Sequence, residues 1–258
     1  MNKPYVGITG VTTEAELDYV LATYEANGFS SKDSHVGMVG FLASKSTAPG
    51  GKPRSGRHVA DTKTLVELAA KSSSRALSVV HFECRDLPDT FSGLLLPLLD
   101  QAYDEGLRAA QLNATPSPDE VNRVRDAYPE LTLIYQIRPD LLAHGPDAVL
   151  AEIGKHRGAF QYLLIDPSCG TGRDIDLPQA VLVAEALSKE FPDSSVGFAG
   201  GFSGENVEGR VKNLVESMRH CDFSIDVEGK VREPTTDLLD ASRVEAYIQG
   251  ASRGFQNT

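Results

Sequence analysis

The sequence is poor in cysteine, in basic residues and in long apolar runs, and each shortage excludes a class of protein. Its three cysteines, Cys84, Cys169 and Cys221, are too few and too scattered for a disulfide framework or a zinc motif. No stretch approaches the ~20 apolar residues of a membrane-spanning helix, and MNKPYVGITG lacks the apolar run of a signal peptide. Asp and Glu number 36 against 25 Lys and Arg, and the net charge of −11 disfavours general nucleic-acid binding. We therefore expect a soluble, cytoplasmic protein that binds neither nucleic acid nor membrane.

Strand-like apolar runs alternate with segments of helical periodicity along the whole chain. Strands that alternate with helices pair in parallel, because each helix returns the chain to the same edge of the sheet. Eight such units in 258 residues favour a single (β/α)8 barrel over residues 1–258, and a doubly wound open sheet is the competing architecture. The predicted strands are Tyr5–Thr9, His35–Ala43, Leu77–Glu83, Leu107–Asn113, Leu131–Ile137, Phe160–Asp166, Ser195–Ala199 and Cys221–Ile225.

Several predicted helices carry residues that are typical of helix ends. Thr13, Ser117 and Ser203 stand where an N-cap belongs, with acidic residues in the turn that follows. Gly28 and Gly106 stand where a helix C-cap belongs.

One long Gly/Pro/Ser-rich segment interrupts this pattern. Ser44–Gly56 reads SKSTAPGGKPRSG and predicts a long flexible loop after the second strand. Loops of this length in compact domains are often lids or binding loops, and a disordered, solvated segment is the alternative. A last helix is predicted near Leu239–Gln249.

Polar residues follow or end the predicted strands, which is where (β/α)8 barrels carry reactive groups. A single polar residue at a strand end is more simply explained by contact with water. Their accumulation at one end of the strands predicts a site. These residues are Thr9, Lys45, His81, Glu83, Gln111, Asn113, Gln136, Arg138, Asp166, Gly200, Gly201, Ser224 and Asp226.

Two glycine-bearing turns predict an anion site. Asp166 closes the sixth strand, and the Gly-Thr-Gly of residues 170–172 precedes the next helix, where backbone N–H groups can converge on an anion. Gly200 and Gly201 follow the seventh strand, and barrels frequently hold a phosphate after their seventh and eighth strands. Tight turns that merely need positive φ angles are the alternative. Two such turns on adjacent strands favour a phosphate.

His81 and Glu83 alternate onto the same face of the third strand and could form a metal pair or an acid/base pair. No convincing third ligand accompanies them, and polar residues satisfied at a strand end are the simpler explanation. We therefore expect neither a bound metal nor a cofactor.

With these residues in place, the chain resembles the phosphoribosylanthranilate isomerase family of barrel enzymes. The matching pieces occur in the family's order over nearly the whole length. They are Val6-Gly7-Ile8-Thr9 for the family's Cys-Gly-Ile-Thr, GFLASK…SGRHV at 40–59, GLRAAQLNA at 106–114, DPSCGTGRDIDL at 166–177, FAGGFSGENV at 198–207 and DFSIDVEG at 222–229.

The resemblance implies an Amadori rearrangement, in which an aminoaldose phosphate becomes an aminoketose phosphate without a cofactor. In that family a cysteine is the general base on the sugar carbon and an aspartate is the general acid on the ring oxygen. The aspartate corresponds to Asp166, whereas Val6 stands in place of the cysteine. Arg57 corresponds to the arginine that holds the substrate carboxylate. Asn113 replaces a histidine, and Asp226 replaces a glycine beside the phosphate, where an added negative charge is unfavourable.

One segment supports a different class of enzyme. Residues 164–172, LIDPSCGTG, also resemble the cofactor loop of S-adenosylmethionine-dependent methyltransferases. Those enzymes need a second strand that ends in an acidic residue for the ribose, and here the next strand ends in Ala-Gly-Gly. The methyltransferase is therefore the less favoured alternative.

We expect a barrel similar to phosphoribosylanthranilate isomerase that acts on a small phosphorylated, sugar-derived molecule, with Asp166 as general acid. A barrel that only binds such a metabolite is the alternative, and a homodimer is compatible with the sequence. The phosphate would be bound by Gly170, Thr171, Gly172, Gly200, Gly201 and Ser224, and the rest of the substrate by Arg57, Gln111 and Asn113.

The general base is left open by the sequence. Valine cannot transfer a proton, and loss of a general base typically costs on the order of 10²–10⁴-fold in rate. We therefore expect little or no phosphoribosylanthranilate isomerase activity unless another group replaces the cysteine. The candidates are His81, Glu83 and Cys84.

Overall fold

Eight parallel strands close into a barrel in the computed structural model, which describes residues 3–47, 55–168, 174–219 and 221–256. The strands follow one another in chain order, and the first pairs with the eighth to close the ring. The predicted (β/α)8 barrel is therefore confirmed, and the open doubly wound sheet is wrong. The strands are β1 (Tyr5–Thr9), β2 (Val36–Ser44), β3 (Leu77–Glu83), β4 (Ala109–Asn113), β5 (Thr132–Ile137), β6 (Tyr162–Ile165), β7 (Ser195–Ala199) and β8 (Phe223–Val227).

Helices connect the strands and cover the outside of the barrel. Within the described ranges, no helix has both the length and the apolar character needed to cross a membrane. Short 3₁₀ helices follow β2 at Lys45–Thr47 and β8 at Gly229–Val231. The α-helices are α1 (Glu14–Ala26), α2 (Thr62–Ser72), α3 (Ser92–Ala102), α4 (Pro118–Ala127), α5 (Pro139–Leu142), α6 (Pro146–Gly154), α7 (Leu177–Glu190), α8 (Val207–Ser217) and α9 (Ala241–Gln256).

The predicted strand bounds are correct for β1, β3 and β7, and the other strands begin or end one or two residues away. The segment Ser44–Gly56 is not a loop throughout. Ser44 belongs to β2 and Lys45–Thr47 form a 3₁₀ turn, while residues 48–54 lie outside the described residues. The last helix is longer than predicted and runs over Ala241–Gln256.

Two of the three predicted N-caps stand at helix starts. Thr13 caps α1 with a capping box, and Ser117 precedes α4 without a side-chain hydrogen bond to it. The prediction of Ser203 as an N-cap is wrong, because α8 begins only at Val207. A turn comes first, in which Asn206 Oδ1 accepts a hydrogen bond of 2.9 Å from the Ser203 N–H.

Of the two predicted C-cap glycines, Gly28 directly follows Asn27, the C-cap of α1, whereas Gly106 stands three residues after Tyr103, the C-cap of α3. Both have a positive φ. Gly28 has φ 77° and Gly106 has φ 114°. At Gly106 a side chain would also collide with Ser73, because a Cβ would stand 2.3 Å from that residue's Cβ.

Side chains along each strand point alternately into the barrel and outward to the helices. Tyr5, Met38 and Leu164 belong to an apolar cluster inside the barrel. Val6 and Ile8 belong instead to the large core between the strands and the helices. Toward the carboxyl ends of the strands the inward positions become polar, and this change creates the candidate site.

Candidate functional site

A small, partly enclosed pocket opens at the carboxyl ends of β6, β7 and β8. This end of the strands carries the chemistry in (β/α)8 enzymes. Six of the strand-end residues that predicted the site line it: His81, Gln111, Asp166, Gly200, Gly201 and Asp226. The other lining residues are Ser168, Ala199, Phe202, Val227, Glu228, Gly229 and Lys230.

Asp166 follows directly on β6, and donors hold both oxygens of its carboxyl group. Oδ1 accepts hydrogen bonds from the Ser168 N–H at 2.8 Å and from Ser168 Oγ at 2.7 Å. Oδ2 accepts a hydrogen bond of 2.5 Å from Nε2 of Gln136 on the neighbouring strand β5. These contacts fix the orientation of a buried carboxyl group beside the pocket.

Gln136 connects Asp166 to two further polar residues inside the barrel. Gln136 Oε1 lies 3.1 Å from Nε2 of His81 and 3.4 Å from Nε2 of Gln111. The sequence placed Gln136 in the ring of polar strand ends but assigned it no role. Its contacts join β3, β4, β5 and the end of β6, so they depend on the closed order of the strands.

Asp226 lies on the inward face of β8, where the neighbouring strand β1 leaves room for its side chain. Gly7 is its register partner on β1, and a Cβ at that position would stand 2.6 Å from Asp226 Oδ1. Thr9 Oγ1 lies 3.2 Å from each carboxyl oxygen and donates to this group. Asp226 is buried, with 5% of its surface exposed, and it lines the pocket with Asp166.

Burial raises the pKa of the Asp226 carboxyl from 3.8 to about 8, and the charges of Glu228 and Asp166 add to the increase. The Thr9 hydrogen bond lowers this pKa but is the smaller effect. Asp226 is therefore mainly protonated at neutral pH. The negative charge that the sequence predicted beside a phosphate is largely absent there, and the pocket contains a carboxylic acid next to a second carboxyl group.

Arg57 binds two carboxylates of the protein and does not line the pocket. Its NH1 donates to Glu228 Oε1 at 2.6 Å, its Nε to Asp237 Oδ2 at 2.9 Å and its NH2 to Asp237 Oδ1 at 2.5 Å. The hydrogen bonds that the guanidinium donates to Asp237 and Glu228 raise its pKa despite its partial burial. The predicted role of Arg57 as a ligand of the substrate carboxylate stays a prediction, because both of its described partners are carboxylates of the protein. Arg57 ties the loop after β2 to the segment after β8.

The glycine turn after β7 reaches the pocket as predicted. Gly200 has φ 104° and Gly201 has φ 67°, conformations that favour glycine. Their carbonyl groups are held by α8 and the turn before it, since Arg210 donates to the Gly200 oxygen and Asn206 Nδ2 to the Gly201 oxygen. Lys230 lines the same pocket and was not singled out in the sequence. The other predicted phosphate ligands, Gly170, Thr171 and Gly172, lie outside the described residues.

Two predicted ligands lie away from the pocket. Ser224 stands two residues before Asp226, near the amino-terminal end of β8, and its Oγ accepts a hydrogen bond of 3.0 Å from the Tyr5 N–H. It is fully buried there and does not reach the carboxyl ends of the strands. Asn113 binds a neighbour instead, because its Oδ1 accepts from Arg138 NH1 at 2.8 Å. The position of Ser224 does not fit the predicted phosphate contact, and the predicted substrate contact of Asn113 stays a prediction.

Of the three candidate replacement bases, His81 alone lines the pocket. Glu83 forms an ion pair with Arg85, and Nε2 of His58 lies 3.8 Å from its Oε2. Cys84 is buried in the outer core, and burial raises the pKa of its thiol to about 12. A thiol that holds its proton so tightly is a poor base. Neither Glu83 nor Cys84 is therefore placed to act as the replacement base in this pocket.

Val6 points away from the barrel interior, so its comparison with a catalytic cysteine is also corrected. Its neighbours Tyr5 and Gly7 face inward, whereas Val6 packs in the core between strands and helices. Successive residues of a strand face opposite sides. A cysteine at position 6 would lie outside the ring of strands and could not reach a substrate at the barrel mouth.

Metal ligands are not grouped in the described part of the chain. No set of three or more His, Cys, Asp or Glu side chains in residues 3–47, 55–168, 174–219 and 221–256 is arranged to hold a metal ion.

Fold and pocket together define a (β/α)8 barrel with a buried polar site at the carboxyl ends of its strands. No family model matches the chain, and no curated protein sequence matches it. Solved structures do. The chain is similar to the structure described as native KDPGal, with 13% identity, a TM-score of 0.57 and coverage of 100% of this chain and 96% of that one.

Two further solved structures have comparable similarity. The catalytic domain of a hyperthermophilic chitinase from Pyrococcus furiosus has 10% identity and a TM-score of 0.60, over 99% of this chain and 96% of that one. A rubisco-like protein from Burkholderia fungorum has 14% identity and a TM-score of 0.60, over 100% of this chain and 62% of that one. At these identities the similarity shows the barrel fold alone.

Proposed function

We propose that the chain is an acid–base enzyme of the aldose–ketose isomerase type, acting on a small phosphorylated, sugar-derived substrate. The observation that carries the proposal is the pair of carboxyl groups in one pocket: Asp226, which holds its proton at neutral pH, and Asp166, which is fixed by three hydrogen bonds. Pairs of carboxyl groups whose environments differ are typical of acid–base catalysis.

An aldose–ketose rearrangement needs one proton delivered to oxygen and one removed from carbon. Asp226 protonates the ring oxygen as the C1–O bond breaks, and a lone pair of the C1 hydroxyl, which releases its proton to water, forms the C1 carbonyl. Asp166 then accepts the proton of C2; the C–H electron pair becomes the C1=C2 double bond, and the carbonyl electron pair takes up a proton to give the enediol. Loss of the proton from the C2 hydroxyl forms the carbonyl of the ketose, and Asp166 returns its proton to C1. The rearrangement needs no net oxidant or reductant, and Asp226 regains its proton from solvent.

The family resemblance makes Asp166 the general acid. We assign that role to Asp226, because Asp226 is the protonated group, and Asp166 becomes the general base.

The proposed phosphate position is the outer rim of the pocket, near Gly200, Gly201 and Lys230. Support comes from the positive φ angles of both glycines and from the lysine on the same lining. Glu228 on this rim is paired with Arg57, and Asp226 is mainly neutral. The electrostatic repulsion between these two carboxyl groups and a bound anion is therefore reduced.

The direct test is solvent exchange at the carbon that loses its proton. The purified protein is incubated in D₂O with phosphoribosylanthranilate and with a panel of aldose phosphates, and deuterium at the carbon beside the carbonyl is followed by NMR. We expect exchange with at least one aldose phosphate, with a rate that falls as the pH rises above about 8 because Asp226 loses its proton.

Asp166→Asn and Asp226→Asn should each lower this rate by about 10²–10⁴-fold. The exposed Asp193→Asn is the matched control and should leave it unchanged. Ligand-induced thermal stabilisation without any exchange would favour the non-catalytic, metabolite-binding alternative.

A further inference from the structure

The inner end of the pocket contains two buried polar atoms without a partner among the described residues: Nδ1 of His81 and Oε1 of Gln111. His81 is 5% exposed and Gln111 is 1% exposed. Buried polar atoms in folded proteins nearly always have a hydrogen-bond partner, and those that do not call for a specific explanation. Both residues line the pocket, so a ligand is the natural source of the missing partners.

The direction of the hydrogen bonds around these residues follows from Asp166. Its Oδ1 accepts two hydrogen bonds from Ser168, and its Oδ2 accepts one from the side-chain amide of Gln136. The Gln136 atom at 2.5 Å from Asp166 Oδ2 is therefore its amide nitrogen, and the opposite atom, Oε1, is an acceptor. The groups that face Gln136 Oε1 must then be donors. They are Nε2 of His81 at 3.1 Å and Nε2 of Gln111 at 3.4 Å. These two nitrogens also lie 3.5 Å from each other, but the contact of His81 with Gln136 Oε1 is the shorter one, so we assign His81 Nε2 as a donor to Gln136.

This order fixes the character of the two unpartnered atoms. When Nε2 carries the proton of a neutral imidazole, Nδ1 has a free lone pair and can only accept. If the Gln111 amide were rotated by 180°, its Oε1 would face Gln136 Oε1, and two acceptors would meet. The Gln111 nitrogen therefore faces Gln136, and Gln111 Oε1 faces away from it. Both His81 Nδ1 and Gln111 Oε1 are therefore acceptors in need of donors.

We infer that the inner end of the pocket binds two hydroxyl groups of the ligand, one donating to His81 Nδ1 and the other to Gln111 Oε1. A phosphate dianion or a carboxylate has no hydrogen to donate and cannot satisfy either atom. In the sugar-derived phosphate of the proposed function, the hydroxyl groups are the donors, so the hydroxylated carbon chain lies innermost. This assignment rests on the proposed function for the outer position of the phosphate, and it makes His81 a positioning residue and not a base.

The first experiment compares two phosphates that differ only in hydroxyl groups, D-ribitol 5-phosphate and n-pentyl phosphate, by calorimetry at pH 7.5. We expect ribitol phosphate to bind at least tenfold more tightly. Gln111→Met and His81→Phe should each lower its affinity about tenfold, the loss of one neutral hydrogen bond in a buried site, and leave pentyl phosphate binding unchanged. The exposed Gln179→Met is the matched control. Equal binding of the two phosphates, or equal losses of both in the variants, would overturn the inference.

The second experiment reads the His81 tautomer directly in the ligand-free protein. Long-range ¹H–¹⁵N NMR at pH 8 should show the proton on Nε2 and an unprotonated Nδ1. Asp166→Asn should relax this preference, because an asparagine at that position can donate as well as accept. A proton on Nδ1 in the unmodified protein would contradict the argument whatever the ligand is.

Unphosphorylated ribitol separates this inference from the proposed function. If neither phosphate binds but ribitol shifts the His81 Nδ1 resonance, the phosphate site is wrong and the hydroxyl site stands. If ribitol and ribitol phosphate both leave that resonance unchanged, the hydroxyl site is overturned.

Discussion

Replacing Asp226 with asparagine should remove a pH dependence of stability that this one carboxyl group creates. The folded protein has an Asp226 pKa of about 8 against the ordinary 3.8, so between these values it keeps a proton that the unfolded chain releases. The stabilising effect of this proton is fully present below pH 3.8 and is lost as the pH rises through 8. For one proton, the free energy of unfolding falls by about 1.4 kcal/mol for each pH unit in this window.

The assay is chemical unfolding of the wild-type protein and Asp226→Asn at pH 5, 6, 7 and 8. Between pH 5 and pH 7 the wild type should lose about 2–3 kcal/mol relative to the variant. His35 and His156 act in the opposite direction, because burial lowers the pKa of each and the unfolded chain binds their protons more readily. Both proteins contain these histidines, so the difference between the two curves isolates Asp226.

Asp193→Asn, on the surface, should reproduce the wild-type curve and so controls for the loss of a carboxyl group in general. A difference curve that stays flat within about 1 kcal/mol from pH 5 to pH 8 would refute the reasoning. It would mean that Asp226 is ionised in the folded protein, and Asp226 could then not be the proton donor.

Three further outcomes follow from the packing and charge of named residues. Val6→Cys should leave the exchange rate unchanged, since position 6 faces the outer core, and a rate change would show that its side chain reaches the pocket. Arg57→Met should lower the free energy of unfolding by about 1 kcal/mol at pH 7. The loss should shrink once the pH falls below the lowered pKa of Asp237, and a loss that does not change with pH would contradict this. Gly40→Ala should cost about 1–3 kcal/mol, because its Cβ would stand 2.5 Å from Thr9 Oγ1 and 3.1 Å from Thr9 Cα. Gly209→Ala, with open space around it in α8, is the control and should be neutral or stabilising in the same unfolding assay.

The barrel could be predicted because its signals are local. Each strand is a short apolar run, and the capping box at Thr13 and the left-handed glycine at Gly28 mark helix ends without help from distant residues. Ser203 misled because a serine before an acidic turn resembles an N-cap, whereas Asn206 organises that turn and delays the helix to Val207.

The candidate site was predictable only as a location. Polar strand ends indicated the rim, and Asp166 with the Gly200–Gly201 turn does lie at one pocket. The character of the site depends on contacts between residues far apart in the chain. Asp226 becomes an acid because it is buried near Glu228 and Asp166, and Arg57 is bound by Asp237, 180 positions away.

The direction in which a barrel strand's side chains point is the step that sequence comparison could not supply. A strand of a (β/α)8 barrel is buried on both faces, so its sequence is a nearly continuous apolar run. Such a run does not show which side chains face into the barrel and which face the helices. In Val6-Gly7-Ile8-Thr9 the inward face is the one with the small and polar residues, because Gly7 makes room for Asp226 and Thr9 binds it. Motif alignment compared residue types and placed Val6 opposite a catalytic cysteine, although a shift of one residue moves a side chain to the other face. The proposed catalysis therefore depends on Asp226, which lies on β8 beside Gly7 of β1, and not on the residue at position 6.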